Sequence, residues 1–199
     1  MAALWTNAEA MRGPVLVTVL YFVVYYAFMI LQLKTRSAAV RRAGAAVEGK
    51  TYASDVGEDL GARMGERVFL NTLEQMGAFL SALWMCAAFV SSELATTCGS
   101  IALFFRVLMP LFWSRGPGGA WNILVELSTQ PYYLCVLGQF GAVFAWAATG
   151  FNVGEQSWLV QALFIFASYT VLFVAAFLLG DVLNRATAHA YEPGGSRSE

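Results

Sequence analysis

The stretch Glu66-Arg67-Val68-Phe69-Leu70-Asn71-Thr72-Leu73-Glu74 decides how this chain is read. Arg67, Asn71 and Glu74 stand at i, i+4 and i+7, so a helix projects all three from one face. Glu74 then lies about 10 Å further along the axis than Arg67, at ~1.5 Å per residue. Beyond it the chain runs apolar through Phe79, Leu80, Leu83, Trp84, Met85 and Cys86 to Val90, in the manner of a membrane span. Ionisable groups at membrane depth are costly, and they face a bundle interior where they are paired or functional. Asn71 can reach either Arg67 or Glu74, whereas those two are too far apart to pair. Glu74 therefore needs a cation from another helix. Arg106, by its depth in a later apolar run, is the expected partner, in the same subunit or a neighbouring one.

Working outward, the whole chain has the composition of an integral membrane protein. Of its 199 residues 58% are apolar, 15% aromatic and only 13% charged, far from the usual quarter-charged soluble domain. A net charge of −1 offers no basic footprint for nucleic acid. Cys86, Cys98 and Cys135 sit in or beside apolar runs without metal-ligand spacing, which predicts buried, inert thiols and no metal site. The lone His189 lies in the polar tail.

Runs of about 20 apolar residues predict five spans, over about 14–33, 67–90, 97–113, 121–149 and 157–183. The fold class is thus all-α: a four-helix transmembrane bundle over residues 1–150, followed by an additional transmembrane helix and polar tail over 151–199. Asp55-Val56-Gly57-Glu58 resembles a capping box at the entry to the second helix. Lys34, Arg36, Arg41, Arg42 and Lys50 fill the first long connection, Arg115 the 114–120 turn, and Arg185 and Arg197 the tail. Positive-inside counting places these segments on the cytoplasmic or equivalent side of an endomembrane or organellar membrane, with the N-terminus opposite. In the fourth span Asn122, Glu126 and Gln130 recur at i, i+4 and i+8, with Tyr133 close by. This stripe serves either helix-to-helix hydrogen bonding inside an oligomer or a second wall of a pocket.

The pattern Arg67-x-x-x-Asn71-x-x-Glu74 followed by an apolar helix resembles the second-helix motif of MAPEG proteins, the membrane-associated proteins of eicosanoid and glutathione metabolism. A basic first loop and an Arg inside the third span, here Arg106, fit the resemblance, which covers roughly residues 10–150. It implies a trimer of helical bundles in contact with membrane lipids, with glutathione as bound co-substrate between subunits. On that footing Arg67 holds a carboxylate, Asn71 the peptide and Glu74 the amino group, the fixed charges of both signs that glutathione requires. Transferase or peroxidase activity on lipophilic substrates would follow.

The chain departs from the family's enzymes at the chemistry itself. Met109 and Trp113 occupy positions where those enzymes place an aromatic hydroxyl or His and then a Tyr. Ala120, Trp121 and Asn122 fill the window in which an Arg activates the glutathione thiol, a cation being what favours thiolate. Arg115 on the neighbouring turn is the remaining catalytic candidate. These departures and the added fifth span support an alternative: a non-catalytic structural or accessory subunit of a larger membrane complex. A channel or transporter has less support, because the chain lacks paired half-repeats.

Overall fold

The computed structural model describes residues 8–42, 59–115 and 122–187. Five helices follow one another: α1 (Arg12–Arg42), α2 (Leu60–Phe89), α3 (Ser92–Trp113), α4 (Ile123–Thr149) and α5 (Trp158–Thr187), with a 3-10 turn (Val153–Glu155) before the last. The described residues contain no strand. Helices α1 to α4 form the bundle, in which α2 packs against α1, α3 and α4, and α5 lies against α4.

Local chemistry sets the helix ends. Ser91 caps α3 by accepting from the Leu94 amide at 3.2 Å, so that helix begins five residues before the expected 97. Asn122 caps α4 through the Leu124 and Val125 amides, and Gly150, at φ 75°, closes it in the left-handed conformation that favours glycine. The capping box expected at 55–58 lies outside the described residues; the residue that caps α2 is Asp59, accepting from the Ala62 amide at 3.0 Å. Arg42 clamps the same carboxylate with Nε and Nη2 at 2.7–3.0 Å. The end of α1 is thereby tied to the start of α2.

Helices α1, α3, α4 and α5 are long and apolar enough to cross a membrane. Helix α2, the remaining expected span, is more polar than these four. It has 30 residues, and Arg63, Glu66, Arg67, Asn71 and Glu74 fill its first half and lower its hydropathy. Its second half supplies the centre of the core. Phe79, Leu83 and Cys86 are fully buried. Tyr21 of α1 stacks on Phe79 at 4.6 Å, Tyr132 of α4 lies 6.0 Å beyond, and the Tyr21 hydroxyl donates to the Thr72 carbonyl at 2.8 Å. Cys86, Cys98 and Cys135 are buried free thiols, as expected.

Helix α5 is attached by a narrow seam. Only 6% of its most apolar window is buried, against 44% for α3, so most of its surface faces outward. The closest approach is made where α4 carries no side chain: a Cβ at Gly138 would stand 2.5 Å from Ile165 Cγ2, and one at Gly141 2.3 Å from Ser168 Cβ. Those glycines let the two backbones approach closely. Ile165 is the one buried residue of α5, and residues 170–180 are exposed throughout.

Two outcomes follow from these contacts. Gly141→Val should cost about 2 kcal/mol by overpacking the seam, read as a lower Tm in detergent, while Gly180→Val, with open space around it, should stay near wild type. The Arg42 guanidinium, followed by the Ala62 amide, holds the Asp59 carboxyl below its ordinary range. A depressed folded pKa means the contribution is present above the unfolded pKa and is lost as pH falls through the folded one. Asp59→Ala should therefore lower the Tm at neutral pH, and the gap to wild type should close on acidification below the carboxylate range.

Candidate functional site

Helices α2 and α3 run in opposite directions from their junction near Ser91, which brings Asn71 beside Arg106. The side chain of Arg106 is 2% exposed. Its Nη1 donates to Asn71 Oδ1 and to the Met109 sulfur at 3.5 Å. The guanidinium lies 3.8 Å over the Tyr132 ring, a cation–π geometry worth ~2 kcal/mol in a desolvated setting. That does not offset the several kcal/mol needed to bury an uncompensated charge. Arg106 Nε and Nη2 have no hydrogen-bond partner among the described residues, and none of their carboxylates forms a salt bridge with it. The counter-charge must come from outside those contacts.

The expected Glu74–Arg106 pair does not form within the chain. Arg106 goes instead to Asn71, three residues earlier on α2. A three-residue step rotates the helix face by about 60°, enough to leave Asn71 half-buried and Glu74 exposed. Arg67 is exposed on the same outward side. The motif is therefore divided: Asn71 faces into the bundle, while Arg67 and Glu74 face away from it.

The fourth helix supplies the rest. Tyr133 of α4 is half-buried, with Arg106, Glu74 and Glu126 all within electrostatic reach of it. Glu126 Oε2 accepts from Gln130 Nε2 at 2.6 Å, and Gln130 Oε1 accepts from the Tyr169 hydroxyl of α5 at 2.5 Å. Asn122 is the helix cap described above. The stripe at 122, 126 and 130 is thus used within one chain, first for capping and then for a hydrogen-bonded run to α5. Arg115 stands exposed just past the end of α3 and makes no side-chain contact with this cluster among the described residues. Met109 and Trp113 are buried, and Met109 contributes a sulfur to Arg106 rather than a hydroxyl.

The arrangement concentrates charges of both signs at one end of an apolar bundle. A family model then settles the ancestry: MAPEG matches residues 14–119, just over half of the chain. The chain belongs to the MAPEG family. The match spans α1 to α3, which carry Arg67, Asn71, Glu74 and Arg106, and ends before α4. No curated protein and no solved structure matches the chain. This MAPEG protein is a membrane protein of helical-bundle fold, with a fifth helix beyond the matched segment.

Sequence reasoning missed the aromatic partners. Tyr132 looks like any interior aromatic until Arg106 is seen above its ring, and Tyr169 lies in the most apolar run of the chain with no local signal. Tyr133 had one, because it continues the Glu126 stripe at i+7.

The pairing of Asn71 with Arg106 makes a sharp prediction. Asn71→Leu should cost about 2 kcal/mol, the worth of a hydrogen bond to a buried charge. Adding Arg106→Met should restore much of the loss, because the uncompensated charge leaves with it. Thermal unfolding of the two variants in the same detergent checks both halves.

Proposed function

We propose that this MAPEG protein binds glutathione at the first-loop end of the bundle and presents its thiol to lipophilic electrophiles or peroxides reaching it through the bilayer. The observation that carries the reading is Arg106, a buried guanidinium with Nε and Nη2 unpartnered. A carboxylate satisfies two such N–H groups at once, in the bidentate geometry that guanidinium favours. Glutathione fits the donor set beyond that point. It has a second carboxylate for Arg67, an amide for Asn71 and an ammonium for Glu74. When bound, it supplies the nucleophilic thiol; the chain's own residues bind and orient it.

Arg67 and Glu74 face away from the single chain, which supports an oligomer, a homotrimer on the family's pattern, in which a second copy covers them. The loops rich in Lys and Arg support placing the first-loop end, and so the site, on the cytoplasmic side of an endomembrane or organellar membrane.

A second reading is favoured by a specific observation. Met109 and Trp113 stand where the family's enzymes carry hydroxyl or imidazole groups, and Arg115 lies outside the cluster. On that reading the bundle keeps a ligand site or only its packing, and serves as a non-catalytic subunit of a membrane complex.

Calorimetric titration of glutathione into purified protein in nanodiscs separates the readings. Saturable binding in the roughly millimolar range, weakened about tenfold or more by Arg67→Ala or by Arg106→Met, is the expected result. Well-folded wild type that takes up no glutathione leaves the non-catalytic reading. Binding without turnover of any lipophilic electrophile or hydroperoxide restricts the protein to ligand binding.

A further inference from the structure

Helix α1 carries no acidic residue in its 31 positions, so each cation near its end needs a counter-charge from elsewhere. Two find one at the start of α2. Arg36 meets Glu66 at 3.8 Å, and Arg42 holds Asp59 at 2.7 Å. Lys34 and Arg41 do not. Both are exposed, and neither forms a salt bridge among the described residues.

These two cations continue one outward face of the helix. Val19, Val23, Tyr26 and Ile30, each about half exposed, recur at steps of four and three. Lys34, Ser37 and Arg41, all exposed, extend the same series. Residues 14–33 are long enough to fill a hydrocarbon core of ~30 Å at ~1.5 Å per residue, which sets Lys34 at its edge. Arg41 stands about 10 Å further along the axis. Side chains on a helix lean toward its N-terminus, so that of Arg41 leans back toward the headgroups.

We propose that this face of α1 holds an anionic phospholipid, with its headgroup on Lys34 and Arg41 and an acyl chain along Tyr26, Ile30 and Leu33. The partner follows from charge and depth together. Each Lys or Arg near the surface favours an anionic headgroup about fivefold. A zwitterionic headgroup sets its own ammonium against that gain, and a free phosphate has no chain for the apolar half of the face. The Ser37 hydroxyl donates to the Leu33 carbonyl at 2.8 Å, so its one hydrogen is spent and the two cations carry the attraction. Cations turned toward α2 thus close the bundle, and those turned outward set it against the leaflet.

The test counts the lipids that the full chain retains from nanodiscs of mixed phosphatidylglycerol and phosphatidylcholine, by native mass spectrometry. Wild type should retain phosphatidylglycerol above its share of the bilayer. The double variant Lys34→Gln, Arg41→Gln should lower that enrichment about fivefold or more, with an unchanged Tm in pure phosphatidylcholine. Arg12→Gln, at the opposite end of α1, should keep the wild-type ratio. An excess of glycerophosphoglycerol, the headgroup without its chains, should displace nothing; displacement would mean a site for a soluble anion and would overturn the inference. Two other results also overturn it: a wild-type ratio equal to that of the bilayer, as a second copy covering this face would give, or an enrichment that survives the double variant.

Discussion

A guanidinium buried between helices is the constraint to which the rest of the bundle answers. Arg106 enters an apolar interior with a hydrogen bond to Asn71, a thioether at 3.5 Å and an aromatic face at 3.8 Å. Each partner comes from a defined place: Asn71 from α2, Met109 from the next turn of α3 and Tyr132 from α4. The register of three helices is therefore read at one side chain. Slipping α2 by one residue would turn Asn71 away and present Leu70 or Thr72. An apolar bundle has little else to fix register, since lipid and protein interiors are similarly apolar and packing alone discriminates weakly.

The aromatic column continues that constraint into α1. Tyr21 stacks on Phe79 and bonds the α2 backbone at Thr72, one residue from Asn71. The opposite end of the α1–α2 pair is tied by the Arg42–Asp59 clamp. This pair is more than half exposed on the Arg42 side, and an isolated surface ion pair contributes little. Its bidentate geometry and its double use as helix cap set it apart from the long, exposed Arg36–Glu66 contact at 3.8 Å. Interior charge thus fixes depth and register, while surface charge only closes a connection.

Much of the architecture could be read from residue order because it follows from two local rules. Apolar length marks helices that can cross a membrane, and polar spacing of 4 and 3 marks a helix face. Those rules located all five helices, though α3 begins earlier than hydropathy suggests because Ser91 caps it, and α2 is more polar at its start than the other four. The division of the Arg67-Asn71-Glu74 face was not legible. Spacing puts the three on one side of a helix, but a side spans a wide arc, and only the position of α3 decides where the boundary between inside and outside cuts it. The same holds for the 122–126–130 stripe, which reads equally as pocket wall or as helix contact until α5 is in place.

Composition and periodicity alone determined the all-α membrane class, the helix order and which polar residues carry interest, because each depends on neighbours within a turn or two. The family followed from a local pattern as well, since Arg67, Asn71 and Glu74 lie within a single helix. Which groups meet was decided only in three dimensions. Arg106 chose Asn71 over Glu74, Tyr132 became its cover, and Tyr169 arrived from 39 residues away to hold Gln130. The reason is physical: a long-range contact depends on the azimuth and depth at which two helices pack, and close packing at residues such as Gly138 and Gly141 sets both.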